Sequence, residues 1–408
     1  MTVCLNCGQP ACTTLVDFGP QPVCHHFFDG TEPEGRHELV LGQCDACGQV
    51  QLINPIPPQQ LIPRFDWLVY NEPEAHVAEL TDLLAGLPGI TPAANVCGIS
   101  HKDRSTLAQL SARGFQEVWR PDPTADLAMT SPQQGIETIQ QRIQPTLVPD
   151  LHRKYGVPDL VVARHVLEHT QQTRTFLAAL RRLVSPTGYV AFEIPDSRLP
   201  MSLLDYTTLW EDHALYFDDE ALPACLSEGG FEVVRVVSYP APYETVVVAI
   251  ARPRPTGQSA RKSEANRQRE VARRFASALP ERRAALRRLL TDWKRAGQVA
   301  LFGAGHHAVI FVNLMGLADL IDFVVDDHPR KRGLRLPGSR LPIVGSEKLL
   351  EQNVRLCLSS LGAGSEQKVL QKQQAFIGRG GTFAAIFPSN ATEPLTFLAG
   401  PQSPTPQP

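Results

Sequence analysis

No apolar run in the chain reaches the roughly 18 residues a membrane span needs. The first ten residues, MTVCLNCGQP, hold neither a basic stretch nor an apolar one. Neither a secretory leader nor a membrane protein is expected, and the expected location is the cytoplasm. An excess of one charge is also missing: 39 basic residues stand against 42 acidic ones, for a net charge of −3. That balance offers no electrostatic footprint for nucleic acid or an anionic membrane. Short-period repeats are absent, which argues against a solenoid. Glycine is scarce at one telling place. Residues 95–107, NVCGISHKDRSTL, read as strand, loop and helix start, yet hold only Gly98 where a nucleoside-binding turn usually carries several glycines.

What is present suits a soluble α/β protein. Apolar residues make up 43% and charged residues 20% of 408, enough for two or three domains. Six of the nine cysteines fall in the first 60 residues. Without a secretory leader they point to metal or free thiols rather than disulfides. Cys4 and Cys7, then Cys44 and Cys47, form two CxxC knuckles, each followed by glycine. Four thiolates in two such pairs fit one tetrahedral Zn2+ and leave no open position, so the zinc is expected to be structural. Cys12, Cys24, His25 and His26 are spare donors, any of which could replace a knuckle cysteine.

From residue 72, EPEAHVAELTDLLAGL reads as an amphipathic helix. Then NVCGI (strand), DRSTLAQLSARG (helix), FQEVWR (strand), DLVVARHVL (strand), TFLAALRRLVSP (helix) and YVAFEIPD (strand) alternate. Such alternation implies a parallel, doubly wound sheet, closed by antiparallel GGFEVVRVVSYPA and YETVVVAIAR. RPRPTGQSARKS reads as a linker. A charged helix over about 263–296 follows, interrupted at Pro280. QVALFGAGHHAVIFVNLMG, LIDFVVDD and RLPIVG then start a second Rossmann-like unit, and the tail PQSPTPQP reads as disordered.

His165-Val-Leu-Glu-His169, a helix and Pro-Thr-Gly before a strand resemble class I S-adenosylmethionine (SAM) methyltransferases. With the paired CxxC block in front and GAGHHA, VVDDHPRKRG and LPGSRLPI behind, the chain resembles the sugar C-methyltransferase family over nearly its whole length. That resemblance implies a zinc-binding module at 1–62, a class I Rossmann-like methyltransferase domain at 63–252 and a second Rossmann-like domain at 253–398 that holds the substrate's nucleotide. Residues 399–408 form the tail. It also implies SAM as cofactor, structural Zn2+, and C-methylation of a nucleotide-activated keto-deoxysugar by base-assisted enolate formation. The expected partner is that small molecule, and the expected state is monomer or homodimer.

The family's Tyr-x-Glu-His motif matches Trp210, Glu211, Asp212 and His213, with tyrosine and glutamate replaced. The resemblance makes His213 the candidate base, oriented by Asp212 or Glu211, with Trp210 at the substrate; a histidine capping a surface turn is the plainer reading. The family's tyrosine-rich segment corresponds to 65–76. There Tyr70, Asn71, Glu72 and His76 either line the sugar pocket, with Tyr70 counted in the catalytic set and His76 at the substrate, or merely punctuate a helix start. The cofactor set is Gly98, Ser100, Asp103, Asp122, Gln140, Arg164 and His165, with His169 at the substrate. Asp122 ends the second strand where an acid would hold ribose, and Asp103 or Ser100 would replace an acid missing near Cys97.

Three readings of the glycine-poor loop stay open: SAM binding, a different nucleoside, or a non-catalytic scaffold. At the C-terminal turn, Gly303, Gly305, His306 and His307 either meet phosphate at a helix N-terminus or lie on an exposed turn. Asp326 and Asp327, about 20 residues on, have the spacing of an NAD ribose acid, which keeps an NAD-binding sugar-nucleotide protein as an alternative. Lys331, Arg332 and Arg335 are candidate phosphate contacts or a solvated basic loop.

Overall fold

The computed structural model describes residues 2–68, 72, 74–241, 244–255 and 266–387. Tyr70, Asn71, the tail 399–408 and most of the linker lie outside them. The chain divides into two compact units. One comprises Met1–Asp17, Val40–Leu199 and Asp212–Arg273; the other comprises Phe18–Leu39, Pro200–Glu211 and Arg274–Pro408.

Strands β1 (Cys12–Pro22), β2 (Arg36–Cys44) and β3 (Val50–Leu52) follow the first CxxC knuckle. Next come α1 (Val77–Ala85), β4 (Val96–Gly98), α2 (Arg104–Ala112) and β5 (Val118–Trp119). Helices α3 (Ile136–Arg142) and α4 (Val148–Tyr155) lead to β6 (Leu160–Arg164), α5 (Thr173–Leu183) and β7 (Tyr189–Pro195). After α6 (Arg198–Ser202) come β8 (Leu215–Tyr216), α7 (Ala221–Glu228), β9 (Phe231–Tyr239) and β10 (Val246–Pro253). The strand order is β5-β4-β6-β7-β10-β9, parallel from β5 to β7, with β10 antiparallel to both neighbours. The expected doubly wound sheet with antiparallel closure is what forms.

Why these residues make that sheet is visible in β6. Leu160 and Val162 pack to one face and Val161 and Ala163 to the other. Strands buried on both faces read as continuous apolar runs, because helices cover each side. Phe176, Leu177 and Leu180 of α5 cover one face; Leu80, Leu84, Leu107 and Leu110 of α1 and α2 cover the other. Each such side chain contributes about 1.5–3 kcal/mol of burial. Gly98 lets α2 approach: a Cβ there would lie 2.7 Å from Leu107 Cδ1 and 3.0 Å from Asp103 Cβ.

A shorter sheet has the order β1-β2-β3-β8. Leu215 and Tyr216, just beyond His213, pair with Gln51 and Val50. That pairing was not foreseen, because two residues carry no periodicity.

The second unit holds a sheet of β11 (Gln298–Phe302), β12 (Phe323–Val325), β13 (Ile343–Val344), β14 (Val354–Ser359) and β15 (Thr382–Ala385). Its order is β13-β12-β11-β14-β15, all parallel. This is a second doubly wound sheet, with its switch point between β11 and β14.

One expectation is overturned. Helix α8 (Asn266–Ala296) runs through Pro280 without a break. Proline removes one N–H and crowds the carbonyl four residues back. A buried stripe of Leu279, Leu286, Leu290 and Trp293 holds the turns on both sides. One nearby carbonyl, that of Phe275, accepts the Tyr206 hydroxyl at 2.7 Å.

Candidate functional site

The two CxxC knuckles close on each other. Cys4 Sγ lies 3.7 Å from Cys47 Sγ, and Cys7 Sγ lies 3.7 Å from Cys44 Sγ. Sulfurs on one tetrahedral zinc, each about 2.3 Å from the ion, stand about 3.8 Å apart. All four Sγ atoms lie within 4.8 Å of one another, so this set fits Zn2+. Cys12 packs beside them, and Cys24 is elsewhere.

At the carboxyl ends of β4, β6 and β7, charge replaces the apolar core. Ligands of open α/β sheets bind at this edge, at the switch between strands such as β4 and β6. Arg164, 1% exposed, ends β6. Its Nε donates to Glu193 Oε1 at 2.8 Å, and its Nη1 donates to Glu74 Oε1, Lys102 O and Ser105 Oγ at 2.9–3.1 Å. His165 follows in a left-handed conformation, φ 47°. Its Nε2 lies 3.0 Å from Glu193 Oε1, and its Nδ1 lies 3.4 Å from Glu168 Oε1 and 3.7 Å from Glu72 Oε2. His76 Nε2 takes the other Glu193 oxygen at 3.1 Å. Lys102 pairs with Glu72.

These contacts set the charges. Burial opposes a positive His165, but Glu72, Glu168 and Glu193 outweigh it and hold its pKa well above 6.5. Burial likewise opposes ionised Glu193, but His165, His76 and Arg164 hold its pKa well below 4.5. Against burial, His165 and Lys102 pull Glu72 down to about 2.

Replacing Glu193 by glutamine therefore strands two buried cations. It should cost about 3–5 kcal/mol of stability, measured by urea unfolding. The pH dependence follows from both partners. Glu193 contributes in full above 4.5, and its contribution is lost as pH falls through its depressed pKa. His165 contributes in full below 6.5, and its contribution is lost as pH rises through its raised pKa. The difference between the wild type and Glu193→Gln should thus be largest between about pH 4.5 and 6.5. A variant as stable as the wild type there would remove the network from the account.

Beside this charged layer is a neutral one. The rings of His169 and His213 meet edge to face, 4.6 Å between centroids. Burial pushes His213 down to about 3 and His169 well below 6.5. Burial raises Glu168, and it raises Glu244 to about 7. Glu168, His169 and His213 present atoms within 4.8 Å of one another, as do Glu137, His169 and Asp212. Glu168 Oε2 has no hydrogen-bond partner among the described residues. The arrangement offers an imidazole that stays unprotonated and, in Glu244, a carboxyl group able to donate near neutral pH.

The glycine-poor loop is wound on its own acid. Asp103 Oδ2 accepts the N–H groups of Ile99 and Ser100 at 2.7 Å each, and Oδ1 accepts that of Arg164 at 2.8 Å. Ser100 Oγ accepts from Lys102 N. Asp103, expected to replace a missing ligand acid, is thus occupied inside the turn, and burial pushes it up to about 7. Cys97 is core. Asp122 is exposed and accepts the N–H groups of Thr124 and Ala125, shaping its own turn. Gln140 is buried, its amide donating to Glu137 O and its oxygen accepting from Gln171 N. Tyr70 lies outside the described residues.

Sequence reading missed Glu193, Glu168, Glu137 and Glu244. Glu193 did carry a signal, an acid inside the otherwise apolar strand YVAFEIP.

In the second unit, a Cβ on Gly303 (φ +99°) would meet Ser360 Oγ at 2.7 Å, so the turn needs glycine. Asp326 Oδ2 accepts Ala304 N and Lys331 Nζ, both at 2.9 Å, so the candidate ribose acid supports the turn. Arg332 pairs with Asp327, and Arg335 donates to Arg340 O. Gly305 precedes α9 (His306–Met315), whose first residue is buried. Trp210 stacks on His306 at 3.4 Å, with planes 2° apart. Burial pushes the neighbouring His307 down to about 4. Glu211 accepts the Cys24 N–H and belongs to this unit, whereas Asp212 and His213 belong to the first.

Comparison with known proteins divides the chain in three. Residues 4–61 match a zinc binding domain, 67–236 a methyltransferase domain and 253–388 the C-methyltransferase C-terminal domain. The C-methyltransferase NovU of Streptomyces niveus is 24% identical over 402 residues, covering 94% of this chain and 95% of that protein. Among solved structures, the 1,6-didemethyltoxoflavin-N1-methyltransferase of Burkholderia thailandensis is similar at 16% identity, over 45% of this chain and 80% of that one, TM-score 0.31. The magnesium protoporphyrin IX methyltransferase of Synechocystis PCC 6803 follows at 18% identity, over 44% and 78%, TM-score 0.29.

Proposed function

We infer, for a chain that belongs to the SAM-dependent C-methyltransferases of three-domain build, that the carbon it methylates lies beside the ketone of a nucleotide-activated sugar. The observation that carries this reading is His213, half-buried and held neutral beside His169 and Glu168 at the carboxyl edge of the first sheet. A ketone acidifies the neighbouring C–H, and a neutral imidazole can take that proton. Glu72 favours the imidazolium that results. Glu244, with a pKa near 7, can donate a hydrogen bond to the enolate oxygen.

When bound, SAM supplies an electrophilic methyl group on a sulfonium. A cationic cofactor would meet the unpartnered Oε2 of Glu168, while Gly98 and the Asp103-wound turn supply the backbone surface.

The test has two arms. Calorimetric titration with S-adenosylhomocysteine should give micromolar binding. A nucleoside-diphosphate 4-keto-6-deoxysugar should then yield S-adenosylhomocysteine and a product heavier by one methylene. Binding without turnover on any such keto-sugar would reject the acceptor while keeping the methyltransferase.

A further inference from the structure

The second unit holds a cluster that methyl transfer does not use. Cys24, Glu211 and His306 come from three distant parts of the chain, and their Sγ, carboxylate and imidazole atoms lie within 4.8 Å of one another. All three are buried, at 1%, 3% and 4% exposure. We propose that Cys24, Glu211 and His306 form a second zinc site, separate from the four-cysteine site, with three protein ligands and a fourth position open to water.

The geometry is that of a prepared site. His306 Nε2 lies 3.0 Å from Leu209 O. A carbonyl can only accept, so Nε2 carries the hydrogen and Nδ1 presents its lone pair. Metal-ligating histidines are held in this way, with the second ring N–H bound to a backbone carbonyl. Trp210, stacked flat on the ring, fixes its plane. Nδ1 points toward Glu211 Oε2, 3.7 Å away. That is too long for a hydrogen bond. It is close to the about 3.4 Å that separates nitrogen and oxygen ligands on one tetrahedral zinc.

Glu211 is oriented as well. Its Oε1 accepts the Cys24 N–H, whereas Oε2, buried, has no hydrogen-bond partner among the described residues. The Cys24 and Glu211 side chains meet out of water, and a cation seated between them and the imidazole lone pair would take the place of the proton that thiol and carboxylate share. The mixed sulfur, nitrogen and oxygen set suits zinc, a borderline-soft ion, better than Mg2+ or Ca2+, which prefer oxygen alone. Three protein ligands with one open position distinguish this site from the closed tetrathiolate.

Metal content of the reduced, full-length protein, dialysed against metal-free buffer and read by plasma mass spectrometry, tests the assignment. Two zinc ions per chain are expected in the wild type. Cys24→Ser and His306→Gln, each checked for folding by circular dichroism, should retain one. In cobalt-substituted protein, both variants should keep the intense thiolate charge-transfer band of the four-cysteine site and lose the weaker mixed-ligand band. One zinc per chain in the wild type would overturn the proposal. So would two zinc ions retained in both folded variants. The wild-type count stands even if a variant fails to fold.

Discussion

His213→Asn should lower kcat by about 100- to 10,000-fold, the usual worth of a general base, and leave S-adenosylhomocysteine binding unchanged. The split between kcat and cofactor affinity separates a base from a packing residue, because a collapsed site would lose both. The pH profile gives a second check. An imidazole with its ordinary pKa protonates near 6.5, but burial holds that of His213 at about 3. The wild-type rate should therefore stay level as the pH falls through 6.5, with its acid limb far lower. Asparagine cannot accept the proton, so the residual rate of the variant should not show that limb. An undiminished rate in His213→Asn would remove this residue from the chemistry. Proton transfer would then fall to its neighbour Glu168.

The second large effect is expected at the four-cysteine site. Cys44 is fully buried and lies at the end of β2. Cys44→Ser removes one of four thiolates. Structural zinc contributes about 10 kcal/mol or more to small domains that cannot otherwise bury enough surface. Strands β1–β3 should lose their hydrogen-exchange protection, and the variant should release zinc to a colorimetric chelator that leaves the wild type intact. Turnover should fall too. Strand β3 pairs with Leu215 and Tyr216, two and three residues beyond His213, so His213 is tethered to the zinc module's sheet. Retained protection of β1–β3 in Cys44→Ser would show that the sheet stands without the metal.

The sequence made the sheets and the zinc ligands legible, because both are local patterns. A run such as LVVAR declares a strand covered on both faces, and two CxxC pairs declare a thiolate site. The charged layer was only half legible. Arg164, His165 and His169 follow directly on a readable strand. Their partners Glu72, Glu137, Glu193 and Glu244 arrive from elsewhere in the chain, and no spacing rule connects them. Asp103 shows a different difficulty. An acid in a loop invites a ligand role, and only coordinates reveal that three N–H groups of the chain itself claim it. Pro280 was misread for a related reason: a single residue argues against a helix, but the buried leucines and tryptophan along α8 decide it.

The Asp103 turn has a calorimetric consequence. Loops that must order around a ligand lose conformational entropy on binding, and that loss weakens affinity and slows association. Here the backbone of residues 99–103 is already fixed by its own carboxylate before any nucleoside arrives. Such a turn has little freedom left to surrender. Cofactor association should then run at the rate of diffusional encounter with a rigid surface, with a heat-capacity change no larger than contact burial alone requires.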